Sequence, residues 1–229
     1  MLDRERLAAN ESPNMMTPAL RRFTFTTHVT SSVGWFGAVL AFLALAVIGF
    51  TSDNEPTVRG AYLLMAPAAW FVLVPLAHAS LLSGIVLSLG TSWGLFRHYW
   101  VVLKLGITVF STVILLIYMG TFRQMAGVAA DPVMDLAVVR NASPIIHAVL
   151  ALALLLAAAV LGVYKPFGMT TYGIRRLDEQ RRVVSSSGES AVAVDSGTPT
   201  WIYVAGAVAI ALALLVMISH LMGANPTHH

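Results

Sequence analysis

Residues 98–119 read HYWVVLKLGITVFSTVILLIYM, an apolar run in which Lys104 is the only acidic, lysine or arginine residue. A helix of about 20 such residues crosses the roughly 30 Å hydrocarbon layer of a bilayer. An ammonium group in that layer costs about 3 kcal/mol, so it normally faces a bundle interior and a partner. The run therefore predicts a transmembrane helix whose cation either meets a counter-ion or extends to the lipid headgroups.

Four further runs share this apolar character, and none of them contains an acidic residue, a lysine or an arginine; they span residues 23–50, 60–90, 144–164 and 201–222. The chain is 57% hydrophobic and 11% charged, whereas soluble domains carry about 25% charged residues. We expect an all-α polytopic membrane protein in which four transmembrane helices form a bundle. A fifth transmembrane helix follows at the C-terminus.

The loops divide the chain into four predicted parts. Residues 1–22 form a polar N-terminal tail, and residues 23–172 hold the four-helix transmembrane unit. Residues 173–199 are predicted to form a flexible linker, because residues 183–199 are rich in Ser, Gly and Val. Residues 200–229 hold the fifth helix and a short tail, whose final His228 and His229 are either native or an appended remnant.

The distribution of lysine and arginine predicts the orientation, because cytoplasmic loops carry an excess of these residues. One side holds ten of them, and the other side holds three: Arg4, Arg6, Arg21, Arg22, Arg97, Lys165, Arg175, Arg176, Arg181 and Arg182 against Arg59, Arg123 and Arg140. We expect the N-terminus and the linker in the cytoplasm and the C-terminus outside. These basic residues are topology signals in loops, so the expected partner is the lipid bilayer and not nucleic acid.

Absent residues and motifs exclude several functions. The sequence has no cysteine, which excludes disulfides, thiolate ligands and cysteine-ligated iron–sulfur clusters. It has no phosphate-binding loop, dinucleotide fingerprint, zinc-protease motif or EF-hand loop. Proton- or sodium-coupled transporters usually need carboxylates inside the membrane, and the five runs contain none.

Three histidines are candidate ligands for a metal or a haem iron. His28 and His98 lie near the same predicted end of their helices, as bis-histidine haem ligation requires of two facing imidazoles. His78 lies near the middle of the membrane, one turn after Pro75. A buried histidine there is either a ligand or a neutral imidazole that bonds a carbonyl released by the proline.

Two cations and one aromatic residue complete the candidate site. At 100° per residue, Arg97 and Lys104 fall on one helical stripe, where they suit a ligand with two carboxylates. The alternative is that both extend toward anionic headgroups. Trp35 lies between Gly34 and Gly37; these small residues either leave room for a flat ligand or only let helices approach closely.

The first part of the run over residues 23–50 contains His28-Val-Thr-Ser-Ser-Val-Gly34-Trp35-Phe-Gly37. This stretch resembles the first helix of two membrane families. One comprises the CopD-like copper-resistance proteins with the related DUF2269-type bacterial family. The other, less closely similar, comprises the HemJ-type protoporphyrinogen oxidases. The stretch from Ser83-Gly84 through Trp93-Gly94-Leu95 to Trp100-Val-Val-Leu-Lys104-Leu105 is also similar to both, and the resemblance covers residues 20–165.

The resemblance implies a bacterial plasma-membrane protein whose four-helix bundle handles haem, porphyrin or copper. In the HemJ type, a histidine of the first helix and a lysine of the third are functional, and they fall on His28 and Lys104. The leading hypothesis is a protein that binds haem b with a redox role, although enzymatic activity stays open. One alternative is copper handling by His28, His78 and methionines. The other is an accessory or assembly subunit with a membrane-protein partner or a second copy of itself.

Overall fold

The computed structural model describes residues 16–90, 95–165 and 168–185, and the regular structure within these ranges is helical. Four helices are long and apolar enough to cross a membrane: α1 Pro18–Thr51, α2 Glu55–Leu89, α3 Tyr99–Ala130 and α4 Ser143–Tyr164. A shorter helix, α5, covers Thr171–Ser185. The prediction of an all-α, multi-pass membrane architecture is confirmed for four spans. The fifth predicted span, residues 201–222, lies outside the described residues.

The helices extend beyond the apolar runs that predicted them. α1 begins at Pro18 and not at residue 23, because the Thr17 hydroxyl accepts a hydrogen bond from the amide of Leu20 and proline suits the first helical position. α3 continues past Met119 to Ala130. Hydropathy marks where a helix leaves the apolar layer, whereas helical hydrogen bonding continues into the polar region beyond it.

The two prolines inside α2 flank a change in helix type. Residues Ala69–Leu73 form a π-helical segment, and the amide of Val74 donates to the carbonyl of Ala69, five residues earlier. Proline has no amide hydrogen to donate, so Pro67 and Pro75 both interrupt the α-helical ladder. The sequence predicted kinks at these prolines, and the structure has a widened turn between them.

One core fills the bundle from its middle to the end at which α1 and α3 finish. The rings of Phe42 and Phe122 lie 4.7 Å apart, and those of Tyr118 and Phe122 lie 4.9 Å apart. Side chains from α1, α2 and α3 dominate this core, which includes Trp35, Val39, Phe42, Tyr62, Met65, Leu73, Tyr118, Phe122 and Met125. A second, smaller cluster packs α3 against α4 toward the opposite end of the bundle.

Two arginines on the side predicted to be poor in basic residues bind carbonyl groups at helix ends. Arg140 donates to the carbonyl of Phe50 at 2.9 Å and to that of Ser52, where α1 ends. Arg59 donates to the carbonyl of Asp131 at 2.8 Å, just after α3 ends, and pairs with Glu55 at 2.7 Å. These contacts satisfy carbonyls that a helix terminus leaves without a helical partner.

Arg140→Ala is expected to destabilise the bundle by about 1–3 kcal/mol, because it leaves the end of α1 without its donor. Denaturant unfolding of the detergent-solubilised protein measures this change. Arg123→Ala is the matched control, since the exposed Arg123 guanidinium lies over the Trp70 ring at 5.9 Å and such contacts contribute about 0.5–1 kcal/mol. Equal losses in the two variants would contradict the capping role.

The predicted linker, residues 173–199, starts as a helix. The Thr170 hydroxyl accepts from the amide of Gly173 at 3.1 Å and so caps α5. The Thr170 amide donates to the carbonyl of Arg97 at 2.9 Å, and the Tyr99 amide donates to Gly168 at 3.3 Å. The Ser- and Gly-rich composition begins only near the end of α5, so the first part of the predicted linker, up to Ser185, is helical.

Candidate functional site

A cavity of about 490 Å³ lies at the N-terminal end of the bundle, which is the end where α1 and α3 begin and α2 and α4 finish. Each of these four helices contributes to its wall: His28 from α1, Gly84 from α2, Lys104 from α3 and Gly162 from α4. The structure therefore brings His28 and Lys104 to a single space. The sequence predicted both residues as site residues.

The imidazole of His28 is held in a defined orientation between α1 and α2. Its Nδ1 atom lies 3.0 Å from the carbonyl oxygen of Ser80 and 3.3 Å from the Ser83 hydroxyl. A carbonyl oxygen only accepts hydrogen bonds, so Nδ1 carries the hydrogen and Nε2 carries the lone pair. Metal-binding histidines commonly donate their second ring nitrogen to a carbonyl in this way. His28 is thus suited to bind a metal or accept a proton through Nε2.

Serine side chains link α1 to α2 beside His28. The hydroxyl groups of Ser32 and Ser80 lie 2.7 Å apart, and Ser31 donates to the carbonyl of His28 at 3.2 Å. Small polar residues let two membrane helices approach and bond each other. The polar opening of α1, which stands out in an otherwise apolar run, therefore positions the histidine.

Lys104 extends into the bundle toward α4. The ammonium lies so close to Gly162 that a Cβ atom there would be 2.8 Å from Nζ. Lys104 follows the first residue of α3 by five positions, which places its Cα about 7.5 Å along the helix axis. The Lys104 side chain lines the cavity.

The cavity wall is basic. Four cationic side chains line it, and no carboxylate from the described parts of the chain does; the cations are Arg21, Arg22, Lys104 and Lys165. Within those same parts, Lys104 forms no ion pair. Like charges that share a cleft attract an anion from outside. The arrangement therefore favours a ligand that brings negative charge with it.

Arg97 and His98 do not line this cavity. The helical stripe that joined Arg97 to Lys104 assumes a helix through residue 97, but α3 begins at Tyr99 and His98 is its extended cap residue. His98 pairs with Met169 in an isolated β-bridge, which places it in the contact between the start of α3 and the segment before α5. Val101 and Thr108, farther along the predicted stripe, line the cavity with Lys104.

His78 and Trp35 lie elsewhere in the bundle. The Nδ1 atom of His78 is 2.8 Å from the carbonyl oxygen of Val74, one turn earlier in α2. This is the carbonyl-bonded state that the sequence offered as an alternative, although the bonded carbonyl belongs to the residue before Pro75. Trp35 is 3% exposed in the core and lines a separate cavity of about 70 Å³, so it does not lie beside His28 and Lys104 in the larger one.

The sequence did not identify Gly162 or Ser80 as parts of this site. A glycine inside an apolar helix is a signal of close approach, but periodicity does not say which side chain approaches it. The role of Ser80 depends on its backbone carbonyl, and every residue has a carbonyl, so composition holds no signal for it.

The described residues contain no group of three or more histidine, cysteine, aspartate or glutamate side chains that would hold a metal ion. A ligand at this site therefore meets a single histidine and several cations. Comparisons of the chain with protein-family models, with curated proteins and with solved structures give no match. The resemblance to the CopD-like and HemJ-type families stays a prediction.

Proposed function

We propose that this membrane protein binds haem b or its parent porphyrin in the 490 Å³ cavity. His28 binds the iron through Nε2, and Lys104 binds a propionate. One observation carries the proposal: a histidine with Nε2 as its lone-pair nitrogen lines the same cavity as a lysine that forms no ion pair within the described residues.

The size and lining of the cavity support a ligand that is largely apolar. Sites for small molecules and cofactors span about 300–1,000 Å³ and are mostly apolar with a few convergent polar groups. Phe25, Leu81, Trp100 and Leu105 supply apolar surface here. A macrocycle that exposes apolar faces and carries its charge at one edge suits such a lining.

The charge of the cavity supports a ligand with more than one anionic group. Its four cationic side chains match the two propionates of a porphyrin and leave the mouth positive. With a neutral ligand, no carboxylate of the described residues would pair with Lys104 in this partly buried site, which is costly. The porphyrin dianion supplies a counter-ion for Lys104, and its apolar macrocycle fills the rest of the cavity.

A bound haem iron would supply one-electron chemistry. The residues of this chain bind and orient the cofactor: the Ser80 carbonyl keeps the hydrogen on Nδ1 of His28, and the basic side chains hold the anionic edge. From the distribution of lysine and arginine we expect the site to face the cytoplasmic leaflet, and the family resemblance implies that the membrane is a bacterial plasma membrane. Electron transfer to or from a membrane partner is the corresponding function.

Copper handling is the second candidate, and one contact favours it. Met16 lines the same cavity as His28, and thioether sulfur together with imidazole is a ligand set that suits copper. Copper in this cavity would use His28 and Met16, and it would leave the role of Lys104 unexplained. The charge of the wall therefore favours the porphyrin.

The test is a titration of the full-length protein in detergent with haem and, separately, with metal-free protoporphyrin. We expect a shifted Soret band with haem and tight binding of both ligands. His28→Ala is expected to lose the Soret shift while it still binds protoporphyrin, because only iron needs the imidazole. His78→Ala is the matched control and is expected to behave as the unaltered protein, since His78 bonds within α2.

Two further measurements separate the alternatives. His98→Ala is expected to leave the spectrum unchanged, because His98 does not line the cavity, and a changed spectrum would mean that His98 also binds the iron. Metal analysis of the protein as purified distinguishes copper from haem iron. Absence of any Soret shift on haem addition, or a His28→Ala spectrum identical to that of the unaltered protein, would overturn the proposal.

A further inference from the structure

We propose that Gly84 and Gly162 are positioning residues of the cavity, which fix His28 and Lys104 by leaving room for them. The inference rests on the proposed function for its ligand-binding readout, while the side-chain positions themselves are testable without a ligand. In this view each binding group lies so close to a glycine that a methyl group there would displace it.

Gly162 determines where the Lys104 side chain runs. A Cβ atom at Gly162 would lie 3.9 Å from Cδ of Lys104, 3.6 Å from Cε and 2.8 Å from Nζ. The distances shorten toward the charged end, so the chain of Lys104 crosses from α3 and ends against the backbone of α4. Any side chain at residue 162 would push the ammonium out of this position.

Gly84 does the same for the imidazole of His28. A Cβ atom there would lie 3.0 Å from Cε1, 3.3 Å from Nδ1 and 3.8 Å from Nε2. The ring is thus confined by Gly84 and by the hydrogen bond from Nδ1 to the carbonyl of Ser80, one turn earlier in α2. Together these contacts fix both the tautomer and the place of the ring.

Close contact is not a general property of glycines in this bundle. A Cβ atom at Gly37 in α1 or at Gly106 in α3 would meet nothing within 4 Å. Gly106 lies only two residues after Lys104, on the same helix. It therefore serves as a matched control for the effect of adding a methyl group near the site.

The two glycines also define the class of ligand. Gly84 holds His28 in the contact between α1 and α2, and Gly162 holds Lys104 in the contact between α3 and α4. The imidazole and the ammonium thus belong to different helix pairs. A ligand that uses both must offer a metal to the imidazole of one pair and an anionic group to the ammonium of the other.

The experiment is a double-mutant cycle on protoporphyrin binding to the full-length protein in detergent. Gly162→Ala is expected to weaken binding about tenfold when residue 104 is lysine and to have no effect in the Lys104→Ala background. Gly106→Ala is expected to leave binding unchanged. Losses of equal size in both backgrounds would mean that Gly162 acts through general packing, and they would overturn the inference.

A second measurement needs no ligand. The rate at which an amine-reactive reagent modifies Lys104, followed by mass spectrometry, is expected to change several-fold in Gly162→Ala and to stay constant in Gly106→Ala. If no porphyrin binds but this rate changes, the proposed function fails and the positioning role stands. If the rate is unchanged, the positioning role fails whatever the protein binds.

For Gly84, the corresponding readout is the Soret position of the haem-loaded protein, which is expected to shift in Gly84→Ala and to stay constant in Gly37→Ala. Should Gly162→Ala fail to fold, Lys104→Ala is expected to restore folding by removing the contact. Failure of that rescue would show that the methyl group is excluded by the helix backbone and not by Lys104, which would overturn the inference.

Discussion

Lys104→Glu is expected to abolish the binding of an anionic porphyrin, with a loss of affinity of at least about 100-fold. Truncation of one partner of a buried charge pair costs about 2–5 kcal/mol, and each 1.4 kcal/mol is about tenfold in affinity. Glutamate removes the cation and also adds an anion to the cavity. The substituted protein is expected to fold, because Arg21, Arg22 and Lys165 line the same space.

A charge series at this position tests the interpretation, with protoporphyrin fluorescence as the measure of binding. Affinity is expected to fall from lysine through Lys104→Met to Lys104→Glu, and Lys104→Arg is expected to retain most of it. Arg123→Glu makes the same change of charge on α3 at the other end of the bundle and serves as the control. Undiminished binding by Lys104→Glu would contradict an anionic ligand at this wall.

Gly49→Ala is expected to produce one of the largest losses of stability in the chain. A Cβ atom at residue 49 would lie 2.7 Å from Cε1 and 3.1 Å from Cζ of Tyr62. Tyr62 is 1% exposed, and its hydroxyl donates to the carbonyl of Gly49 at 3.0 Å. The ring therefore has nowhere to move without breaking the hydrogen bond that joins α1 to α2.

Overpacking of a well-filled core typically costs about 1–3 kcal/mol, and the strained hydrogen bond adds about 1 kcal/mol. Unfolding of the detergent-solubilised protein by denaturant measures the loss. Gly37→Ala, in the same helix and with open space around it, is expected to change the free energy of unfolding by less than about 1 kcal/mol. Equal effects at the two glycines would mean that helix propensity, and not the Tyr62 ring, determines the outcome.

Hydropathy predicted the four spans well because lipid imposes a simple requirement on every residue of a spanning helix. It did not predict where helices begin, and Arg97 shows the consequence. The helical stripe through Arg97 and Lys104 fails because α3 starts at Tyr99. The Thr170 amide and the Arg97 carbonyl bond each other across the two loops, a contact that no local pattern encodes.

The position of Lys104 in the cavity wall was predictable because a single cation in an apolar run has few alternatives. His28 was predictable from the polar opening of α1 and from the family resemblance. The separation of His98 from His28 was not predictable, since equal depth in the membrane does not specify which side chains face each other. The π-helical segment was also missed, because the prolines indicate a disturbed ladder without specifying its form.

The π-helical segment has a consequence for residues that lie far from it. The buried positions Met65, Ala69, Leu73 and Ala77 recur every four residues, and in a regular α-helix each such step would drift by about 40° around the axis. The wider turn cancels part of that drift, so the second half of α2 still presents Ser80 to α1. The width of this one turn thus governs whether the Ser80 carbonyl, about two turns later in α2, meets the His28 imidazole.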